Sequence, residues 1–290
     1  MPDAVAETLA ERAPAKVNLT LRVLGRRADG YHRLESLVVF ADLGDELTLA
    51  PGGDAWLDVD GPFAAQCGAA EGNLVTRAAA ALAACAGALK QGRFRLTKRI
   101  PVAAGLGGGS SDAAAALRLL ARANGMAIDD RRLAQAAATV GADVPVCLDP
   151  RARIMRGVGE ELSEPLNLPP LQALLVNPGV PLSTAEVFAR FDQSQASARE
   201  HGAVPPGHDE FFGWLAEQGN DLTRAATACA PVVGDLLGVL AKLSGCRIAR
   251  MSGSGATCFA LFENADEAAA AMKKLTASHA DWWVRAVTLR

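Results

Sequence analysis

The sequence predicts an α+β protein of two domains, and three observations carry that prediction. The chain has 290 residues, more than one core usually serves. Hydrophobic residues make up 50% of it, enough to fill cores of ordinary size. Strand-like and helix-like runs occur in both halves. Beyond the linker Leu166-Asn167-Leu168-Pro169-Pro170 they follow the order β-α-β-β-α-β, with a helical insertion, which is the ferredoxin-like order. The boundary is placed there: residues 1–165 form an N-terminal domain and 166–290 a C-terminal one.

Residues 13–24 alternate Val17, Leu19, Leu21 and Val23 with Asn18, Thr20 and Arg22, as a strand does, with Lys16 and Asn18 on its polar face. A turn-rich loop, Gly25-Arg26-Arg27-Ala28-Asp29-Gly30, leads into Tyr31-His32. Strands are expected at 34–41, 46–50 and 93–97, and helices at 73–89, 112–123 and 129–139. Asn124-Gly125 signals the end of the second helix. Gly141-Ala142-Asp143-Val144-Pro145 breaks the pattern, so 144–148 reads as an apolar run in a loop. In the second half, strands are expected at 171–176, 247–251, 257–262 and 282–288, and helices at 183–191, 209–218, 231–243 and 265–277.

The formal net charge of −3, without a basic block, argues against nucleic acid and anionic membranes as general partners. Six cysteines are scattered with no C-x-x-C pair, which points to a reducing compartment and inert thiols. Residues 1–12 hold no apolar segment of the kind a signal peptide has, and 78–89 is too short to span a bilayer. A cytoplasmic protein is expected. His201, His208 and His279 stand in polar or terminal settings and read as surface residues.

The stretch that carries chemistry is Pro101-Val102-Ala103-Ala104-Gly105-Leu106-Gly107-Gly108-Gly109-Ser110-Ser111-Asp112, set between a strand and a helix. Its glycines permit positive φ and close approach of the backbone. The helix start behind them offers unpaired N–H groups and the positive end of the dipole, so the stretch reads as a phosphate site. It has no lysine, so it is not a Walker A loop, and Ser110 stands where a dinucleotide loop would place its third glycine. Asp112 reads as a first-turn acid that stabilises the helix.

This loop, the opening Ala15-Lys16-Val17-Asn18-Leu19 and the closing Met251-Ser252-Gly253-Ser254-Gly255-Ala256-Thr257 together resemble the three motifs of the GHMP small-molecule kinases. Asp29-Gly30-Tyr31-His32, Gly141-Ala142-Asp143-Val144-Pro145, Gly157-Val158-Gly159-Glu160 and Asn220-Asp221-Leu222 resemble the branch of that family that phosphorylates CDP-methylerythritol in non-mevalonate isoprenoid synthesis. The resemblance runs from about residue 13 to 262.

What it implies is a two-domain GHMP kinase fold: a left-handed βαβ unit in the N-terminal domain and a ferredoxin-like C-terminal domain, with the ligands in the cleft between. The implied reaction transfers a phosphoryl group from ATP, with Mg²⁺ expected, to the 2-hydroxyl of the methylerythritol moiety. Asp143 is implied as the base, with Lys16 beside it neutralising charge. Residues 101–111 are implied to hold the ATP phosphates. Asn18, Tyr31, His32, Asp143, Thr184 and Phe188 are implied to bind the substrate, with Tyr31 and Phe188 flanking the cytosine and His32 reading its edge. A monomer or weak homodimer is expected. Members acting on homoserine or mevalonate, an inactive nucleotide-binding relative, and a dinucleotide-binding oxidoreductase with Asp129 or Asp130 as its ribose-binding acid are the alternatives. The chain departs from the pattern in lacking a glycine within Cys147-Leu148-Asp149-Pro150-Arg151, and in the unmatched insertion 193–206.

Overall fold

The computed structural model describes residues 7–192, 194, 196–197 and 200–290. The expectation for the first six residues, and that for the insertion at 193, 195, 198 and 199, lie outside the described residues.

The elements are β1 (Leu9–Asn18), β2 (Arg22–Arg26), β3 (His32–Pro51), β4 (Trp56–Asp60), α1 (Leu74–Ala86), β5 (Gly92–Thr97), α2 (Gly108–Ala123), α3 (Arg131–Val140), α4 (Val144–Leu148), β6 (Arg153–Gly157), β7 (Glu161–Leu162), β8 (Leu171–Asn177), α5 (Thr184–Arg190), α6 (His208–Ala216), α7 (Thr223–Cys229), α8 (Val232–Ala241), β9 (Ile248–Met251), β10 (Cys258–Phe262), α9 (Ala265–Ser278) and β11 (Trp283–Leu289). They group into two compact units that do not follow chain order. One unit takes residues up to 15, 43–102 and 107–150; the other takes 16–42, 103–106 and 151–290. The sequence pattern suggests one boundary at 165/166, but β1 and β3 each contribute residues to both units.

In the first unit β5 pairs antiparallel with the second half of β3 and parallel with β4. The parallel pair, joined through α1, is a βαβ unit. On β5, Phe94 and Leu96 are buried while Arg93 and Arg95 face out. The helices α1, α3 and α4 pack around α2. Helix α1 is capped by Asn73, which accepts from Val75 N–H, and buries Val75, Ala78, Ala79 and Leu82 at helical spacing. Helix α3 is capped by Asp130 and buries Leu133, Ala136, Ala137 and Val140. Helix α2 is buried on nearly every side from Ser111 to Ala121, which its run of alanines permits.

In the second unit the sheet order is β11-β8-β10-β9, all antiparallel, with α8 and α9 packed on it. This is the order that a β-α-β-β-α-β chain takes in the ferredoxin-like arrangement expected from the sequence. The core beneath α8 and α9 includes Leu174, Val176, Leu236, Leu240, Phe262 and Leu275.

Four local expectations are corrected. The strand expected at 13–24 breaks, because Leu21 N–H and C=O bond to Gly219 and Asp221 instead of to β3. The two strands expected at 34–41 and 46–50 are one, β3. Its apparent gap holds Gly44, where a Cβ would lie 2.5 Å from the Ala13 carbonyl oxygen. Residues 144–148 form the short helix α4, with Pro145 in its first turn, where no N–H is needed. The chain leaves α4 through Asp149 at φ −127°, a conformation open to any residue, so the absent glycine is not needed there.

Candidate active site

Three stretches far apart in the chain meet at one junction in the second unit. Ser252 Oγ accepts from Asn18 N–H at 3.1 Å and donates to the Gly105 carbonyl at 2.8 Å. Lys16 N–H donates to the Leu106 carbonyl at 2.9 Å, and Thr257 N–H to the Ala104 carbonyl at 3.1 Å. Gly105 lies at φ +74°, and a Cβ there would sit 2.4 Å from the Ser252 carbonyl oxygen and 2.7 Å from that of Gly255. Only glycine serves at that position. Ala103, two residues before it, holds φ +51°, an uncommon conformation for a residue with a side chain.

Asn220 clamps the third stretch. Its side-chain amide donates to the Met251 carbonyl at 2.9 Å and the Gly253 carbonyl at 2.8 Å, and its oxygen accepts from Leu222 N–H at 3.0 Å. The sequence showed Asn220 only as part of a resemblance; this positioning role was missed, since nothing local announces bonds to residues 31 positions away.

Lys16 and Asn18 share one side of β1, as expected, and Lys16 Nζ donates to Asn18 Oδ1 at 3.1 Å. Both are buried, at 3% and 2% exposure. Asn18 in turn donates to Ser36 Oγ at 2.7 Å, which donates to the Thr20 carbonyl. Keeping a lysine out of water is costly, which makes Lys16 a functional candidate.

In the first unit, α2 starts at Gly108 with Gly107 as its N-cap at φ +58° and no side chain capping it. Its first N–H groups are therefore left to a ligand or to water. Ser110 is half-buried and Ser111 buried, and Ser111 Oγ has no hydrogen-bond partner. Because α2 begins four residues earlier than expected, Asp112 is not a first-turn acid. It is buried and pairs with Lys98 Nζ at 2.6 Å, which also meets Asp45 at 2.5 Å. Burial pushes the Asp112 carboxyl up to about 7, Asp45 adding to the effect and Lys98 opposing it. Asp143 stands half-exposed at the N-cap of α4 in this unit, whereas Lys16 belongs to the other.

The expected substrate-binding side chains beyond Asn18 and Asp143 lie in the second unit. Tyr31 follows a tight turn, in which Gly30 N–H donates to the Arg27 carbonyl, and is 65% exposed. His32 stacks on Phe188 with ring centroids 4.9 Å apart and meets Phe191 edge-on at 6.1 Å. Burial, and then the Arg26 charge, hold the His32 imidazole below its usual range. At neutral pH it therefore offers one N–H donor and one lone pair. Thr184 Oγ1 is 2.8 Å from Ser254 Oγ, which links the start of α5 to the junction.

His201 corrects a sequence expectation. Its side chain is fully buried, with Nδ1 2.7 Å from a carboxylate oxygen of Glu35 and Trp214 against its ring. Its own N–H also donates to Glu35, which Arg156 contacts at 2.7 Å. Burial holds its imidazole low, against the pull of Glu35.

An uncapped, glycine-lined helix start in one unit and, in the other, a ferredoxin-like sheet with its three-stretch junction are the features of a small-molecule kinase of the GHMP class. The family model for the GHMP kinases N terminal domain matches residues 73–149, and that for GHMP kinases C terminal matches 208–281. A 4-diphosphocytidyl-2-C-methyl-D-erythritol kinase of Methylorubrum extorquens is 54% identical over 287 residues, covering 97% of this chain and 99% of its own. One of Methylobacterium radiotolerans is 54% identical over 288 residues at the same coverages. The crystal structure of a 4-(cytidine 5'-diphospho)-2C-methyl-D-erythritol kinase superposes with a TM-score of 0.79 at 36% identity, covering 97% of this chain and 99% of that one. A homoserine kinase of Cytophaga hutchinsonii, at 18% identity and a TM-score of 0.72, shares the fold. The chain belongs to the GHMP kinases and, among them, to the 4-diphosphocytidyl-2-C-methyl-D-erythritol kinase family.

Proposed function

We propose that this chain uses ATP to phosphorylate the 2-hydroxyl of 4-diphosphocytidyl-2-C-methyl-D-erythritol, in the cytoplasm. The observation that carries the phosphotransferase reading is the junction of Lys16, Gly105 and Ser252, which no isolated motif would need. The substrate rests on the full-length likeness to relatives that bear that name.

Phosphoryl transfer asks a protein mainly for positioning and charge stabilisation. Residues 101–111 hold the ATP phosphates on backbone N–H groups at the start of α2. Asp143 accepts the hydroxyl proton, and Lys16 balances charge at the reacting centre. Tyr31 and Phe188 flank the cytosine. For Phe188 this requires His32 to leave the face it now covers. Its imidazole then hydrogen-bonds the base edge. Among the described residues no group of three or more histidine, cysteine, aspartate or glutamate side chains fits a resident metal. Mg²⁺ would enter with the nucleotide and supply charge neutralisation to the phosphates that residues 101–111 would hold.

ADP release, assayed with CDP-methylerythritol, mevalonate and homoserine in parallel, tests the assignment. Turnover is expected with the cytidylyl substrate alone; turnover with mevalonate or homoserine alone overturns it. Asp143→Asn is expected to keep its fold by circular dichroism and lose about 10²–10⁴ in kcat. Near-normal turnover removes Asp143 from the base role.

A further inference from the structure

Lys98, Asp45 and Asp112 form a buried charge cluster that the mechanism above does not use. Their exposures are 3%, 0% and 2%. Lys98 follows β5 and precedes the glycine loop; Asp112 lies in α2, after it. The ammonium bonds Asp112 Oδ2 at 2.6 Å and Asp45 Oδ2 at 2.5 Å. Asp45 Oδ1 also accepts from Arg99 N–H at 2.5 Å and Ile100 N–H at 2.8 Å. The cluster thus ties the residues that enter the loop to the helix that leaves it. It lies directly beneath the helix start, since a Cβ on Gly108 would be 3.1 Å from Lys98 Nζ.

Charge on the cluster does not balance. One ammonium faces two carboxylates, and Asp112 Oδ1 is buried with no hydrogen-bond partner. A bare carboxylate oxygen is costly there, and a proton removes the cost. The charges that act on Asp112 are those of Lys98 and Asp45, with Cys67 the neighbouring thiol that feels all three. Of the elements packed on α2, α1 has its Arg77 turned to the Val140 carbonyl and α4 has no charged residue. From α3, Arg132 is tied to Asp130, and Arg118 of α2 is tied to Glu11 and the Cys147 carbonyl.

We propose that Lys98 is a positioning residue that clips the two ends of the phosphate loop together, and that Asp112 takes up a proton from solvent when a nucleotide anion binds above it. Both roles presuppose that residues 101–111 bind ATP. An ionised Asp112 leaves the buried cluster net negative near the triphosphate, so nucleotide affinity falls as pH rises through the carboxyl's range near 7.

The test is KM for ATP and for CDP-methylerythritol between pH 6 and 8.5, in the wild type and in Asp112→Asn. In the wild type, KM for ATP is expected to rise about fivefold over that range beyond the change seen in the variant. KM for the second substrate should show no such difference. A second variant, Lys98→Met with Asp112→Asn, removes one charge of each sign and leaves Asp45 its backbone donors. It is expected to raise KM for ATP about tenfold at every pH. An Asp112→Asn profile parallel to the wild type overturns the proton role, and a folded double variant with wild-type KM for ATP overturns the clip. A double variant that does not fold makes Lys98 a residue the fold needs and overturns the clip as a positioning role, and the Asp112→Asn profile then decides the proton role. Fluorescent-nucleotide binding to the wild type separates this from failure of the loop assignment, since a wild type that binds no ATP sinks the latter.

Discussion

Replacing Gly105 with alanine puts the junction to a quantitative test. The residue sits at φ +74°, where an alanine costs about 1–2 kcal/mol. The added methyl would stand 2.4 Å from the Ser252 carbonyl oxygen and 2.7 Å from the Gly255 carbonyl oxygen. Both are backbone atoms, so no rotamer change relieves the clash. Overpacking of this kind costs about 1–3 kcal/mol. The total of about 2–5 kcal/mol is enough to push the loop away from Ser252 and Thr257. At a factor of ten per 1.4 kcal/mol, kcat/KM for ATP is expected to fall by about 30-fold to over a thousandfold. A coupled ADP-release assay reads this, with thermal unfolding alongside it. Gly125→Ala is the control, since Gly125 has φ +62° but nothing within 4 Å of a Cβ. It bears conformational strain alone, about 1–2 kcal/mol, away from the loop. If Gly105→Ala keeps kcat/KM within threefold of the wild type, the tight approach at the junction is not what the loop needs.

Phe188→Ala should raise KM for CDP-methylerythritol by about tenfold or more, the worth of one base–aromatic stack, and leave KM for ATP alone; a KM unchanged for both rejects the stacking role. Tyr31→Ala should behave likewise, although the ring makes so little contact now, and an unchanged KM counts against its flanking the base. His201 makes stability depend on pH. Burial holds its pKa below the ordinary value of 6.5, so the unfolded chain takes up a proton first as pH falls. Stability should be full above about pH 6.5 and drop below it, by at most about 1.4 kcal/mol per pH unit. Thermal unfolding at pH 5 and 7.5 should show a drop that His201→Gln reduces; an equal drop in both removes His201 as its source.

The parts of the site that local chemistry dictates were legible in the sequence, and the parts made by long-range bonds were not. Glycines and serines before an alanine-rich run announce an anion site wherever they fall, because the helix end supplies the N–H groups. What those glycines approach is not written beside them. Gly105 is needed because Ser252 and Gly255 lie against it, and Ser252 joins it to Asn18, which is 234 positions away. His201 was misread for the same reason. Its neighbours Glu200 and Gly202 look like surface, while the partner that buries it, Glu35, is on β3. Lys98 sits beside Arg99 and passes for half of a solvated basic pair, yet one ends between two buried carboxylates and the other reaches Glu46 in the open. The alternation of β5 stops at Thr97, so no period says which way the next side chain turns. The direction is set by Asp45, whose carboxylate takes the N–H groups of both Arg99 and Ile100 and so fixes the backbone from which Lys98 turns inward. An acid on one strand therefore decides the fate of a lysine after another, and through it the seat of the helix that the glycine loop introduces.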